Sequence, residues 1–221
     1  MSQCGKIRAV GLRTEACFLP PGHEGKHDSG DPEEIEEEKT KEEARDPRNL
    51  VAEFKGLPVK EIRDRLDSRR RPFATLLLNI DYDINIATMI RTHNVFCGQE
   101  IFYLGRKKMN RRGCVGTYLY EHITHIPTLE EAKDIIDPSY TWVGIDNIPG
   151  ATPLPGFEWP EKPLLVFGHE NGGLDFLPEL SYSCKNIVFI PQLGSCRSLN
   201  VAVAAGITMF DLANKKGWLG G

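Results

Sequence analysis

The chain has 221 residues, 40% hydrophobic and 26% charged, which suits one globular domain of ordinary size with room for a tail. No apolar run reaches the roughly 18 residues of a membrane-spanning helix, and the N-terminal stretch MSQCGKIRAVGLRTEACF lacks the continuous apolar segment of a signal peptide. Net charge is −4 but unevenly placed: residues 28–46 hold ten acids and three bases (−7), the remainder 21 acids and 24 bases (+3), so the acidic total does not exclude a nucleic-acid partner for the body.

In chain order, residues 1–27 come first, with Cys4, Cys17, His23 and His27. HEGKH sets two histidines four apart, but the two cysteines are thirteen apart and PPG and EG mark loops, so no metal site is expected. Residues 28–46 have one Ile and no aromatic, too little apolar surface to offset ordering entropy, and read as a solvated linker or fraying helix. Residues 1–46 are therefore expected to be an extension and 47–221 the domain. Six cysteines at 4, 17, 97, 114, 184 and 196 form no CxxC pair, which fits reduced thiols in a cytoplasmic protein.

LVAEFKGLPVKEIRDRLDSRR predicts two short helices broken at Gly56-Leu57-Pro58. PFATLLLNI (72–80) predicts a buried strand, ATMIRTHNVF (87–96) a helix, EIFYL (100–104) a strand and LEEAKDII (129–136) a helix. YTWVGI (140–145), PLLVFG (163–168) and NIVFIP (186–191) predict further strands, and a last helix runs from about Ser198 to Lys215. Continuous apolar strands alternating with helices indicate an α/β fold, a parallel sheet with helices on both faces.

Ligands of open parallel sheets sit at the carboxyl ends of strands. Three loops there carry unusual residues: DYDINIATMIR (81–91), GHENGGLD (168–175) and PQLGSCRSLN (191–200). GHENGGL is neither GxGxxG nor a phosphate-binding P-loop. Singly, each loop has a plain reading. Glu170 is a solvated turn residue, Ser198 and Asn85 are helix N-caps, and Arg91 is a surface arginine on an otherwise apolar helix. Asn200, a mediocre helix former placed in the first turn, is less easily explained by capping.

Together the loops are more specific. Asn85-x5-Arg91, then Gly168-x-Glu170-x-x-Gly173, then Ile190-Pro191-x-x-Gly194-x-x-x-Ser198-Leu199-Asn200-Val201 resemble the three ordered motifs of the SpoU/TrmH family, the 2′-O-ribose RNA methyltransferases of the SPOUT superfamily. The resemblance spans roughly residues 73–215, and the third motif is its most specific part. It implies a C-terminal deep trefoil knot, a feature rare among folds. It also implies a homodimer, and S-adenosylmethionine held mainly by backbone. Gly168, Ile190 and Leu199 would line that site, with Leu193 and Gly194 beside them and Ile145 a looser candidate. The chain departs from the family at Ala87, where Gly is usual, at Gln192 for a common Met, at Arg197 and at Ala202 for a common Ser.

The resemblance implies that Arg91 acts at the step in which the 2′-hydroxyl loses its proton. A guanidinium keeps its own proton in proteins, so a clamp on the adjacent RNA phosphate suits Arg91 better than a base. Asn85, Glu170, Ser198 and Asn200 would orient Arg91, the ribose and the loops, with no metal required. RKKMNRR (106–112) puts five bases in seven residues directly after a strand, and RDRLDSRRR (63–71) adds more. Arg106, Lys107, Lys108, Arg111 and Arg112 are thus expected to meet RNA phosphates. In GTYLYEHI, core packing is expected for Tyr118, Tyr120 and His122. The absence of a large added RNA-binding domain favours tRNA over rRNA. A non-catalytic RNA-binding protein of the same fold and an unrelated nucleotide-binding α/β enzyme are the competing readings.

Overall fold

The structure, a computed structural model, describes residues 49–78, 83–105, 111–169 and 172–220. The Cys/His and acidic segments, Arg106, Lys107, Lys108 and Glu170 lie outside the described residues.

A 3-10 turn, Ala52–Phe54, precedes helix α1, Val59–Asp67, which buries Ile62 and Leu66. The break between them falls at the expected Gly-Leu-Pro, where Gly56 has φ +75°. Strand β1, Arg71–Leu78, is buried on both faces over its last six residues. Helix α2, Asp83–Val95, then leads into β2, Gly98–Leu104. Next come β3, Ile123–Ile126, α3, Leu129–Ile135, and β4, Thr141–Ile145. The two-residue β5, Thr152–Pro153, β6, Pro163–Phe167, and the short helix α4, Pro178–Ser183, follow. Strand β7, Asn186–Phe189, and helix α5, Val201–Lys215, complete the domain.

The seven strands form one sheet in the order β3-β2-β1-β6-β4-β7-β5, and every pairing is parallel. Alternation along β1 feeds two cores. Phe73 and Leu77 pack with Ile86, Met89 and Ile90 of α2 and Ala205, Met209 and Leu212 of α5. Ala74, Leu76 and Leu78 face Leu129 and Ala132 of α3 and Leu180 of α4. Strands β3 and β5 and helix α4 were not anticipated. They are short, and β3 fully buries only Ile126, so no apolar run announces them.

Residues 63–71, expected to add to the basic charge that meets RNA at the motif loops, do not lie at that edge. This run precedes β1 and sits at the amino ends of the strands, the opposite edge of a parallel sheet. Its arginines are also engaged. Arg63 donates to the Leu119 carbonyl, Arg65 pairs with Glu61, and Arg69 with Glu53. Arg70, its side chain 4% exposed, meets the fully buried Glu121 at 2.8 Å and also Asp67. Asn94 donates to the other Glu121 oxygen. A buried charge needs such partners, so Arg70 is a structural tie between α1, β1 and the chain entering β3. Tyr118 and Tyr120 are buried as expected, but His122 is exposed and lies 2.9 Å from Asp67.

Candidate active site

Register brings the motif loops to one edge. Leu77 of β1 pairs with Phe167 of β6, Phe167 with Ile145 of β4, and Ile145 with Val188 of β7. Gly168, Asp146 and the chain leaving β7 at Ile190 therefore emerge side by side. Ile145 is 9% exposed, with Ile190 packed against the same core.

Asn200 caps α5. Its Oδ1 accepts from the N–H groups of Ala202 and Val203 at 2.9 and 3.3 Å. The expected cap, Ser198, lies two residues too early, because the helix begins at Val201 rather than at Ser198. Ser198 is exposed, and its carbonyl accepts from the Cys196 thiol. With Oδ1 committed to the cap, the Asn200 amide nitrogen is left to donate, and it reaches Asn85 Oδ1 at 3.0 Å. Asn85 is not a cap either: it is the third residue of α2 and 8% exposed, turned toward α5.

The loop after β6 is a tight hairpin. His169 and Gly173 exchange backbone hydrogen bonds of 2.9 and 2.7 Å. Gly173 has φ +58°, and a Cβ there would lie 2.2 Å from Asp146 Oδ2. That carboxylate oxygen accepts the Leu174 N–H at 2.7 Å, and the other accepts the Asn147 N–H. A Cβ on Gly168 would fall 2.1 Å from the Gly173 carbonyl carbon, so both motif glycines are sterically required. Asp146 and Asn147 were missed in the sequence. Their one signal is an Asp-Asn pair at the carboxyl end of a strand.

Among the described residues, no backbone–backbone hydrogen bond engages 191–199. Side chains hold this loop instead. With its amide nitrogen turned inward, Gln192 donates to the carbonyls of Cys196 and Arg197, each at 3.0 Å. The Asn147 amide nitrogen lies 3.5 Å from the Arg197 carbonyl. Leu193 is fully exposed, Leu199 is 40% exposed, and the space around Gly194 is open.

Arg91 is exposed, with no hydrogen bond or ion pair to a described residue. It belongs to an outward stripe of α2 with Ile84 (52% exposed) and Val95 (70%) at helical spacing. Helix α5, which packs on α2, has its own stripe in Val203, Ile207 and Phe210. Arg111, beyond β2, places its guanidinium 4.9 Å from the Tyr118 ring centroid, while Arg112 is exposed. Nearby, burial pushes the Tyr103 phenol up, opposed by the Arg111 charge. No metal-binding cluster occurs among the described residues, and none of their helices is long and apolar enough to cross a membrane.

The model of the SpoU rRNA Methylase family matches residues 72–210. The chain belongs to this family. SpoU methyltransferases use S-adenosylmethionine, and their substrates are tRNA and rRNA. A putative TrmH family tRNA/rRNA methyltransferase of Bacillus subtilis, YacO, is 26% identical over 172 residues, covering 70% of this chain and 63% of the relative. The mouse tRNA (guanosine(18)-2'-O)-methyltransferase TARBP1 is 25% identical over 150 residues, covering 62% of this chain and 9% of the relative. The match thus takes in less than two thirds of either relative's length.

Solved SpoU structures share the fold. The TrmH/SpoU tRNA modifying enzyme of A. aeolicus has a TM-score of 0.64 at 21% identity, covering 73% of this chain and 84% of that one. AviRb of Streptomyces viridochromogenes, solved with AdoMet, has a TM-score of 0.60 at 22% identity, covering 69% and 61%. One departure of this SpoU chain, Ala87, sits in a close contact. The methyl of Ala87 faces Gly113, where a Cβ would come within 2.8 Å of it.

Proposed function

We propose that the chain transfers a methyl group from S-adenosylmethionine to a ribose 2′-hydroxyl of RNA, with tRNA favoured over rRNA, and that residues 47–221 form the domain that does so. The observation that carries this reading is the Asn85–Asn200 hydrogen bond, which joins the first and third motifs at the strand ends. The preference for tRNA is supported by the names of the mouse relative and the A. aeolicus enzyme, while the family model is named for rRNA.

The residues at this edge fit the cofactor. Leu193 and Leu199 leave apolar surface in water, and the loop between them has backbone groups open to a ligand's polar edges. Ile145, Gly168, Ile190, Leu193, Gly194 and Leu199 would hold it. Bound there, S-adenosylmethionine supplies an electrophilic methyl carbon. The protein's own task is to set the 2′-oxygen in line at about 3 Å and to hold it. Arg91 grips the neighbouring phosphate through its planar fork and stabilises negative charge developing on the oxygen. Asn85 and Asn200 lock α2 to the start of α5, and Glu170 and Ser198 orient ribose and loop. Arg106, Lys107, Lys108, Arg111 and Arg112 meet phosphates at the same edge.

We also propose a symmetric homodimer and a C-terminal trefoil knot around loop 191–200. Support for the dimer is the pair of exposed apolar stripes on α2 and α5. Because Arg91 lies in one stripe, it would serve the partner's cofactor pocket. The test is incubation of purified protein with isotope-labelled S-adenosylmethionine and unmodified tRNA or rRNA, followed by digestion to nucleosides. Label in a 2′-O-methyl nucleoside is the expected result; label only on bases contradicts it.

A further inference from the structure

Phe176, in the turn that follows the β6 hairpin, is 61% exposed. It is not a loose side chain. Its ring stacks on the imidazole of His169, centroids 4.2 Å apart and planes within 13°. His169 is itself 9% exposed, so the inner face of the pair is fixed while Phe176 faces solvent. The backbone is equally set. The Phe176 N–H donates to the Gly172 carbonyl at 3.1 Å, and Leu177 N–H to Leu174. A Cβ on Gly172 would sit 3.0 Å from the Phe176 Cβ, so the missing side chain lets the phenylalanine lie this close to the hairpin.

Asp175, next to Phe176 in the chain, and Glu179, three residues on, are both exposed and acidic, which disfavours phosphate in this stretch. What remains attractive is an open, preorganised π-face, which every nucleobase can use regardless of charge. Resting on the proposed RNA methyltransferase reading, we infer that the Phe176–His169 pair is a stacking platform for a nucleobase of the substrate RNA. The base lies on the outer face of Phe176 while the RNA backbone runs away from Asp175 toward the basic residues beyond β2. Phe176 is then a specificity-determining contact: it admits RNA whose base near the reacting ribose is unstacked.

The test measures binding of a labelled, unstructured decaribonucleotide to the intact protein and to two variants, alongside thermal midpoints. Phe176→Leu keeps an apolar cover on His169 but removes the flat face. It is expected to bind about tenfold more weakly with an unchanged midpoint. Phe176→Trp is expected to retain or tighten binding. Equal binding by the Leu variant and the wild type would overturn the platform and leave Phe176 as a mere cover for His169. No binding of the decamer by the wild type would overturn it as well. Stacking behaviour as expected, with no methyl transfer to any RNA, would uphold the platform and refute the reaction.

Discussion

The amide nitrogen of Asn200 donates to the amide oxygen of Asn85 at 3.0 Å, across 115 positions of sequence. The bond exists because the other end of the Asn200 side chain is committed to capping α5. One residue thus starts the last helix and ties it to α2, the helix that carries Arg91.

Asn200→Ala removes both roles and should cost about 0.5–2 kcal/mol of stability, the range of a lost N-cap. Asn85→Ala should cost less. Urea unfolding of both single variants and the double variant should give a coupling of about 1 kcal/mol. Strict additivity would mean the two side chains are neighbours without a working bond.

Arg91→Lys keeps the charge but loses the planar fork, and should lose most methyl transfer while S-adenosylmethionine affinity stays unchanged. Arg91→Ala and Asn200→Ala, co-expressed, should recover partial activity. In a shared-site dimer, one of the two sites of a mixed pair carries neither lesion. A dimer without recovery contradicts the shared site; a monomer by light scattering contradicts the dimer.

Leu199→Arg puts a cation at the half-exposed loop position proposed to face the sulfonium. Calorimetry should find S-adenosylmethionine binding abolished and circular dichroism unchanged. Normal affinity would move the cofactor away from the 191–200 loop.

His93 provides a pH dependence. It is fully buried, with Nδ1 2.9 Å from the Thr75 hydroxyl, and Gly98 leaves no room for a Cβ beside the ring. Burial, with the Arg70 charge adding to it, pushes its pKa down to about 3. An unfolded histidine protonates near 6.5, so the unfolded chain binds the extra proton first as pH falls. The contribution to stability is therefore complete above about pH 6.5 and is lost progressively down to about pH 3. Between pH 6.5 and 5 the loss should be about 2 kcal/mol. His93→Gln should flatten that slope in urea unfolding; an unchanged slope would assign it to the carboxylates.

The parallel sheet was legible because β1, β2, β4 and β6 are apolar runs buried on both faces, a pattern surface strands do not share. The two-residue β5 and the half-exposed β3 carry too few apolar residues to stand out. The motif residues were legible as types, but their roles were not. A single sequence cannot say that Asn200 rather than Ser198 caps α5, since both suit the position and the helix start decides. Nor does the count of arginines in 63–71 reveal that Arg70 is buried against Glu121. Asp146, Asn147 and Gln192, which hold the two site loops, look like ordinary loop polar residues until the loops are adjacent.

The most direct measurement compares 2′-O-methylation across all RNA from cells that lack the protein with the same cells supplied with the wild type or with Arg91→Lys. The account predicts at least one ribose methylation, in tRNA before rRNA, that is absent without the protein, returns with the wild type, and does not return with Arg91→Lys. An unchanged 2′-O-methyl map, or full restoration by the lysine variant, would contradict it.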